Sequence, residues 1–97
     1  MARSQVERRL IEVGDQLKSL RKDLAVADEQ LGALAAEAED TRLRSLVSET
    51  PIAEREHREA QRHADAMARH RHEVSAEIAR LEAAQDELLD RLILEHD

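Results

Sequence analysis

Apolar residues recur along the first half of the chain at alternating steps of four and three residues. This spacing is typical of the buried face of a coiled-coil helix and assigns Val6 to heptad position d and Leu10 to position a. The series runs Val6, Leu10, Val13, Leu17, Leu20, Leu24, Ala27, Leu31, Leu34 and Ala38, and continues in weaker form through Thr41 and Ser45. The pattern predicts a first helix over about residues 4–47.

A second series with the same period follows the only proline of the chain, Pro51. Its members are Ala53, His57, Ala60, Ala64, Met67, Arg71, Val74, Ile78, Leu81, Gln85, Leu88 and Leu92. Three of them, His57, Arg71 and Gln85, are polar residues at core-like positions, where such residues usually set the register at some cost in stability. The series predicts a second helix over about residues 51–95.

The residues between the two series predict a turn at about residues 48–50. Pro51 has no backbone N–H and disfavours helical geometry at Thr50. The hydroxyl of Thr50 can cap a new helix, in which Pro51 takes the first position, where its missing N–H costs nothing.

The two series match layer by layer when the chain folds back on itself. Paired residue numbers then sum to 98, from Val6 with Leu92 to Ala38 with Ala60. Each a position faces a d position, as antiparallel pairing requires. Flanking e positions sum to 96 and g positions to 100, which places Arg44 opposite Glu56. The predicted fold class is therefore all-α, an antiparallel two-helix coiled-coil hairpin.

Composition supports this class. Of the 97 residues, 38% are charged and 41% hydrophobic, and none is aromatic, a profile typical of long helices. The absence of cysteine excludes disulfides and thiol chemistry and fits a reducing compartment. No apolar run has the length of a signal peptide core or a membrane span. We therefore expect a cytoplasmic protein that does not contact a membrane.

Several apolar residues lie near the predicted open end of the hairpin, where the two chain termini meet. They are Leu10, Ile11, Leu89, Leu92, Ile93 and Leu94. We call the contact between the two heptad series the seam. A single seam between two helices buries little apolar surface, so we expect these residues to self-associate and form a homodimer with four helices. An exposed surface that binds a different partner is the other use of such residues.

The predicted turn also carries apolar residues, Leu46, Val47 and Ile52, among charged ones. The simpler interpretation is that they close the end of the hairpin. The alternative is a docking surface at the tip for another protein, formed by Arg44, Leu46, Val47, Glu49, Ile52, Arg55 and Arg58. Residues 42–72 hold seven arginines and five acids in a chain of net charge −7. An acidic or mixed-charge partner would suit this half of the hairpin.

Histidines in the second helix raise the question of a metal site. They are His57, His63, His70 and His72. Glu59 and His63 have the i, i+4 spacing of metal ligands on one helix face. No second pair of ligands shares that stretch of the face, and no cysteine is present. We therefore expect solvated histidines and neither a metal nor another cofactor.

Five arginines of the second helix could follow a phosphate backbone. They are Arg55, Arg58, Arg62, Arg69 and Arg71. Acidic residues alternate with them, and no aromatic side chain is available to stack on bases. Nucleic acid is therefore an alternative partner and not the expected one.

Catalysis is not expected of this chain. Carboxylates are abundant, but a two-helix hairpin offers no enclosed pocket in which their pKa values would shift. The sequence also has no glycine-rich phosphate loop. We predict a non-enzymatic protein that acts as a scaffold or regulator by binding another protein.

The run from Glu49 to His70, ETPIAEREHREAQRHADAMARH, resembles a family of short actinobacterial coiled-coil proteins with no assigned activity. The resemblance extends over nearly the whole chain. In outline, the hairpin is also similar to the coiled-coil arm of transcript-cleavage factors, which enters the secondary channel of RNA polymerase. Those arms carry acidic residues at the tip, where this chain has Glu49. The similarity implies a second alternative, a transcription-associated factor that inserts its tip into RNA polymerase.

Overall fold

A computed structural model describes residues 3–96 of the chain. Helix α1 spans Gln5–Ser48 and helix α2 spans Pro51–His96, with Glu49 and Thr50 between them. The two helices pack against each other as a hairpin, which confirms the predicted all-α fold. Helix α1 begins and ends one residue later than the sequence pattern predicts, and α2 ends one residue later.

The buried face of each helix coincides with its heptad series. The buried side chains are Val13, Leu17, Ala27, Ala38, Thr41, Ala53, Ala60, Ala64, Val74, Ile78, Leu81 and Leu88. The other members of both series are half-buried. A repeat of 3.5 residues keeps one stripe of each helix turned toward its partner, which explains why burial follows the series through helices of 44 and 46 residues.

The described residues form two compact units. The turn unit is Leu24–Glu73, and its core is a cluster of Ala38, Ala60 and Ala64, against which Leu34 packs. The open-end unit contains the remaining parts of both helices, the start of α1 and the end of α2. Its core includes Val13 and Leu17, the most deeply buried large side chains of the described residues.

A polar residue, Thr41, lies in the core of the turn unit with only 4% of its surface exposed. Its hydroxyl oxygen lies 3.0 Å from the carbonyl oxygens of Glu37 and Ala38, one turn earlier in the same helix. Such bonds to the preceding turn satisfy a hydroxyl inside a helix. Burial of this side chain therefore leaves no unpaired donor.

Both helices begin at a capping side chain. The Ala53 amide donates to Thr50 Oγ1 at 3.1 Å, which is the cap predicted for α2. The Glu7 amide donates to Ser4 Oγ at 3.2 Å and so caps α1. The second cap was not among the sequence predictions, although Ser4 followed three residues later by Glu7 is a known signature of a helix start.

The chain reverses through Glu49, whose φ of 52° lies in the left-handed region. Its amide donates to the Ser45 carbonyl at 3.0 Å and so closes the last turn of α1. Glycine usually takes this position after a helix, because a Cβ is crowded by the backbone at positive φ. The glutamate therefore places local strain at the turn.

We expect Glu49→Gly to raise the free energy of unfolding by about 0.5–1 kcal/mol. Removal of the Cβ relieves about 1–2 kcal/mol of strain, which the greater freedom of glycine in the unfolded chain partly offsets. Urea denaturation followed by circular dichroism measures the change. Glu49→Ala is the control, since it removes the carboxylate and keeps the Cβ. An equal gain in that variant would show that charge, and not backbone strain, is the cause.

Candidate docking surface at the turn

Large apolar side chains are exposed on both sides of the turn. Their exposed fractions are 50% for Leu43, 60% for Leu46, 86% for Val47 and 69% for Ile52. The interpretation that the residues beside the turn close the end of the hairpin is therefore wrong. The seam ends at Ser45 and resumes at Ala53, and these four side chains lie at positions that face away from it.

We call these four residues the turn patch. Leu43, Leu46 and Val47 are spaced i, i+3, i+4 and share one face of the last turns of α1. Ile52 is the second residue of α2. The predicted docking set lacks Leu43, although its helical spacing from Leu46 and Val47 is a signal that the sequence already contains.

Near the turn, two arginines of α1 form ion pairs inside their own helix. Arg44 contacts the carboxylates of Asp40 at 2.7 Å and Glu37 at 3.5 Å. It does not pair with Glu56 across the hairpin, because neighbours one turn away on the same helix are closer. Its guanidinium is already engaged by two carboxylates, so it is a weaker candidate for partner binding than the sequence predicts.

Arg42 forms the second ion pair, at 2.7 Å from Glu39. The hydrogen bonds from Arg42, together with its positive charge, hold the pKa of the Glu39 carboxyl below its ordinary value. Both side chains are exposed. The acidic surface of α1 near the turn is thus partly neutralised within the helix.

Arginines of α2 differ from those of α1. Arg55, Arg58 and Arg62 are exposed and spaced i, i+3, i+7 on one face. Within residues 3–96, the ion pairs of the turn unit are made by Arg42, Arg44 and Arg71, and none by these three. We call Arg55, Arg58 and Arg62 the arginine stripe. It follows Ile52, so guanidinium groups that form no ion pair lie close to an apolar side chain.

Arg71 occupies a core-like position and does not belong to that stripe. It is half-buried and forms an ion pair and a hydrogen bond with Asp28 of α1. Arg71 is one of the five arginines that could follow a phosphate backbone, and its guanidinium is already paired within the hairpin. Asp28 was not a predicted partner of Arg71, and it lies one residue after Ala27, the residue that the register places opposite Arg71.

His57 is the half-buried histidine of the turn unit, and its Nδ1 lies 3.5 Å from Thr41 Oγ1 across the seam. His63, His70 and His72 are exposed. Among residues 3–96, no group of three or more histidine, aspartate or glutamate side chains is placed to hold a metal ion.

Beside this polar layer is a surface depression that is open to solvent. It is lined by Leu34, Glu37, Thr41, Arg44, Glu56, Glu59, Ala60 and His63. Glu59 and His63, the pair with metal-ligand spacing, both line it, together with Glu37 and Glu56.

The six residues predicted to self-associate lie in two different environments. Leu10 and Leu92 are half-buried members of the seam. The other four are exposed, by 44% at Ile11, 44% at Leu89, 61% at Ile93 and 74% at Leu94. The open-end unit therefore also presents apolar surface, contributed by residues outside the seam.

These features define an antiparallel two-helix hairpin with exposed apolar residues in both of its units. No protein-family model, curated protein or solved structure matches the chain. The resemblance to actinobacterial coiled-coil proteins stays a prediction. In the described part of the chain, neither helix contains an apolar stretch long enough to cross a membrane.

Proposed function

We propose that this chain is a non-enzymatic, cytoplasmic interaction protein that binds another protein through the turn of its hairpin. The observation that supports it is the exposure of the turn patch. Val47 is 86% exposed, Ile52 69% and Leu46 60%. Clustered exposed apolar side chains rimmed by polar ones are typical of protein interaction sites. Glu49 has a positive φ, a conformation that favours glycine. Strained residues of this kind cluster at functional sites, which also supports a binding role for the turn.

The charge of the surroundings specifies the kind of partner. The arginine stripe lies beside Ile52 and makes no ion pair within the described residues. Arg55, Arg58 and Arg62 can therefore bind carboxylates of a partner without first breaking an ion pair within the hairpin. We infer an acidic protein surface that also contains apolar residues for the turn patch. Arginine is well suited to such contacts because it binds carboxylates with two parallel hydrogen bonds.

Affinity capture with matched variants tests this proposal. Val47→Ser combined with Ile52→Ser removes apolar surface from the turn patch and should abolish recovery of the specific partner from a lysate of the native host. Val26→Ser is the control, because Val26 is 52% exposed at a distant position of α1 and should leave recovery unchanged. Purified partner should then bind wild-type protein directly, with an affinity that falls in Arg55→Glu combined with Arg58→Glu.

The same experiment separates the alternatives. Loss of recovery after nuclease treatment would contradict the proposal and favour nucleic acid bound by the arginines of α2. Recovery of RNA polymerase, lost in Glu49→Ala, would instead identify the transcription-associated factor. Equal loss in the Val26→Ser control would show that the turn is not the binding site.

A further inference from the structure

Three exposed apolar side chains lie on one side of the open-end unit. Ile11 and Leu89 are each 44% exposed, and Ile93 is 61% exposed. Heptad numbering places Leu89 at e and the two isoleucines at b, and positions b and e are neighbours on a helix surface. We call these three residues the open-end strip. Leu94, at position c, lies on the other side of α2.

Contacts between the helices show that both parts of the strip are on the same side of the hairpin. Arg21 of α1 contacts the carboxylate of Glu82 of α2 at 3.6 Å, and His96 Nε2 lies 3.7 Å from the carboxylate of Glu7. All four residues occupy e positions. The e positions of the two helices therefore meet along one side, and the strip lies between these two polar contacts.

Gly14 leaves open space beside the strip. It also occupies an e position, three residues after Ile11, and it is half-buried. A Cβ at Gly14 would have no neighbour within 4 Å. The surface beside Ile11 therefore has room for a side chain from another molecule.

The net charges of the two helix segments in the open-end unit indicate which molecule binds the open-end strip. Residues 3–23 contain six basic and four acidic residues, net +2, and residues 74–96 contain two basic and six acidic residues, net −4. A second copy related by a two-fold axis parallel to the helices would place its α1 over α2 of the first copy. Segments of opposite net charge would then face each other in both halves of the contact, which favours association. An axis perpendicular to the helices would place like charges together.

We propose that a second copy of this chain covers the open-end strip, with the two-fold axis parallel to the helices, and that the two open-end units form a four-helix bundle. Leu89 and Ile93 of one copy then pack on Ile11 and the open surface at Gly14 of the other. The seam residues Leu10 and Leu92 stay within each hairpin, and Leu94 stays outside the interface. This surface belongs to a different unit from the turn patch, so the two proposals are independent.

Sedimentation equilibrium of the full chain at 1–100 μM tests the association. The wild type should approach twice the chain mass of 11.0 kDa. Ile93→Glu should raise the dissociation constant of the dimer by at least about 30-fold, the size expected when a residue that contributes strongly to an interface is replaced by a charge. Leu94→Glu is the matched control and should leave it unchanged. A monomeric wild type at 100 μM, or equal losses in both variants, would overturn the proposal.

Helix content of each variant is checked by circular dichroism. If Ile93→Glu does not fold, the milder pair Leu89→Ser and Ile93→Ser should give the same loss of association. Higher salt should also weaken the dimer, because it screens the charges that face each other. A dimer that is indifferent to salt would contradict the proposed arrangement of α1 on α2.

Cysteine cross-linking tests the symmetry, since the natural chain has no cysteine. A copy with Ile11→Cys mixed with a copy with Asp86→Cys should form a mixed disulfide under mild oxidation, because the two positions lie at matching heights of α1 and α2. Ile11→Cys alone should stay uncross-linked. Efficient cross-linking of Ile11→Cys to itself would place α1 on α1 and overturn the proposed axis.

Discussion

Leu17→Ala should destabilise the hairpin by about 2–5 kcal/mol, the range for a buried leucine whose removal leaves a cavity. Leu17 is 1% exposed in the open-end unit, where Val13 is the other fully buried large side chain. Domains of this size are usually stable by only about 5–15 kcal/mol, so the loss is a large fraction of the total. Urea denaturation at a fixed protein concentration measures it, because self-association would make stability depend on concentration.

Leu43→Ala is the control for that experiment. It removes the same atoms from a side chain that is 50% exposed, and it should change the free energy of unfolding by no more than about 0.5 kcal/mol. Similar losses in the two variants would show that the heptad seam is not the main source of stability.

The second large effect is expected in the turn unit, where Ala60→Leu should cost about 1–3 kcal/mol. Ala60 is 8% exposed and packs in a cluster with Ala38 and Ala64. Three further carbon atoms can enter only if the helices move apart or a neighbouring side chain leaves its preferred rotamer. Thermal and urea denaturation should both record the loss.

Ala66→Leu adds the same atoms at an exposed position of α2 and should be close to neutral. A stabilising effect of Ala60→Leu would show that the alanine layers are loosely packed. The close approach of the helices near the turn would then not limit the size of their side chains.

Much of the fold is predictable because one pattern runs through both helices. A stripe repeating every 3.5 residues, such as Val13 and Leu17, must be buried, and the only proline marks where the chain leaves the first helix. Arg71 illustrates the limit. Its core-like position was evident, but its partner Asp28 was not, because a long side chain reaches beyond the layer that register assigns to it.

The candidate site was predictable only as a set of residues near the turn. Leu46, Val47 and Ile52 could have closed the hairpin end or faced solvent, and hydrophobicity does not distinguish these two states. Their exposure follows from where the seam stops and from the reversal of the chain at Glu49. Similarly, Arg44 pairs with Asp40 and not with Glu56. This outcome depends on distances between side chains, which the spacing on a helical wheel does not give.

By itself, the amino-acid sequence determined that this chain forms two helices that fold back on each other, because burial of a regular apolar stripe dominates the free energy of folding and depends only on the order of residues. The tertiary structure decided the left-handed conformation of Glu49, the exposure of the turn patch and the arginine stripe that lies unpaired beside it. These features depend on the path of the backbone at the turn and on competition between nearby charged groups. Both are settled by distances in three dimensions, which a repeat in the sequence does not specify.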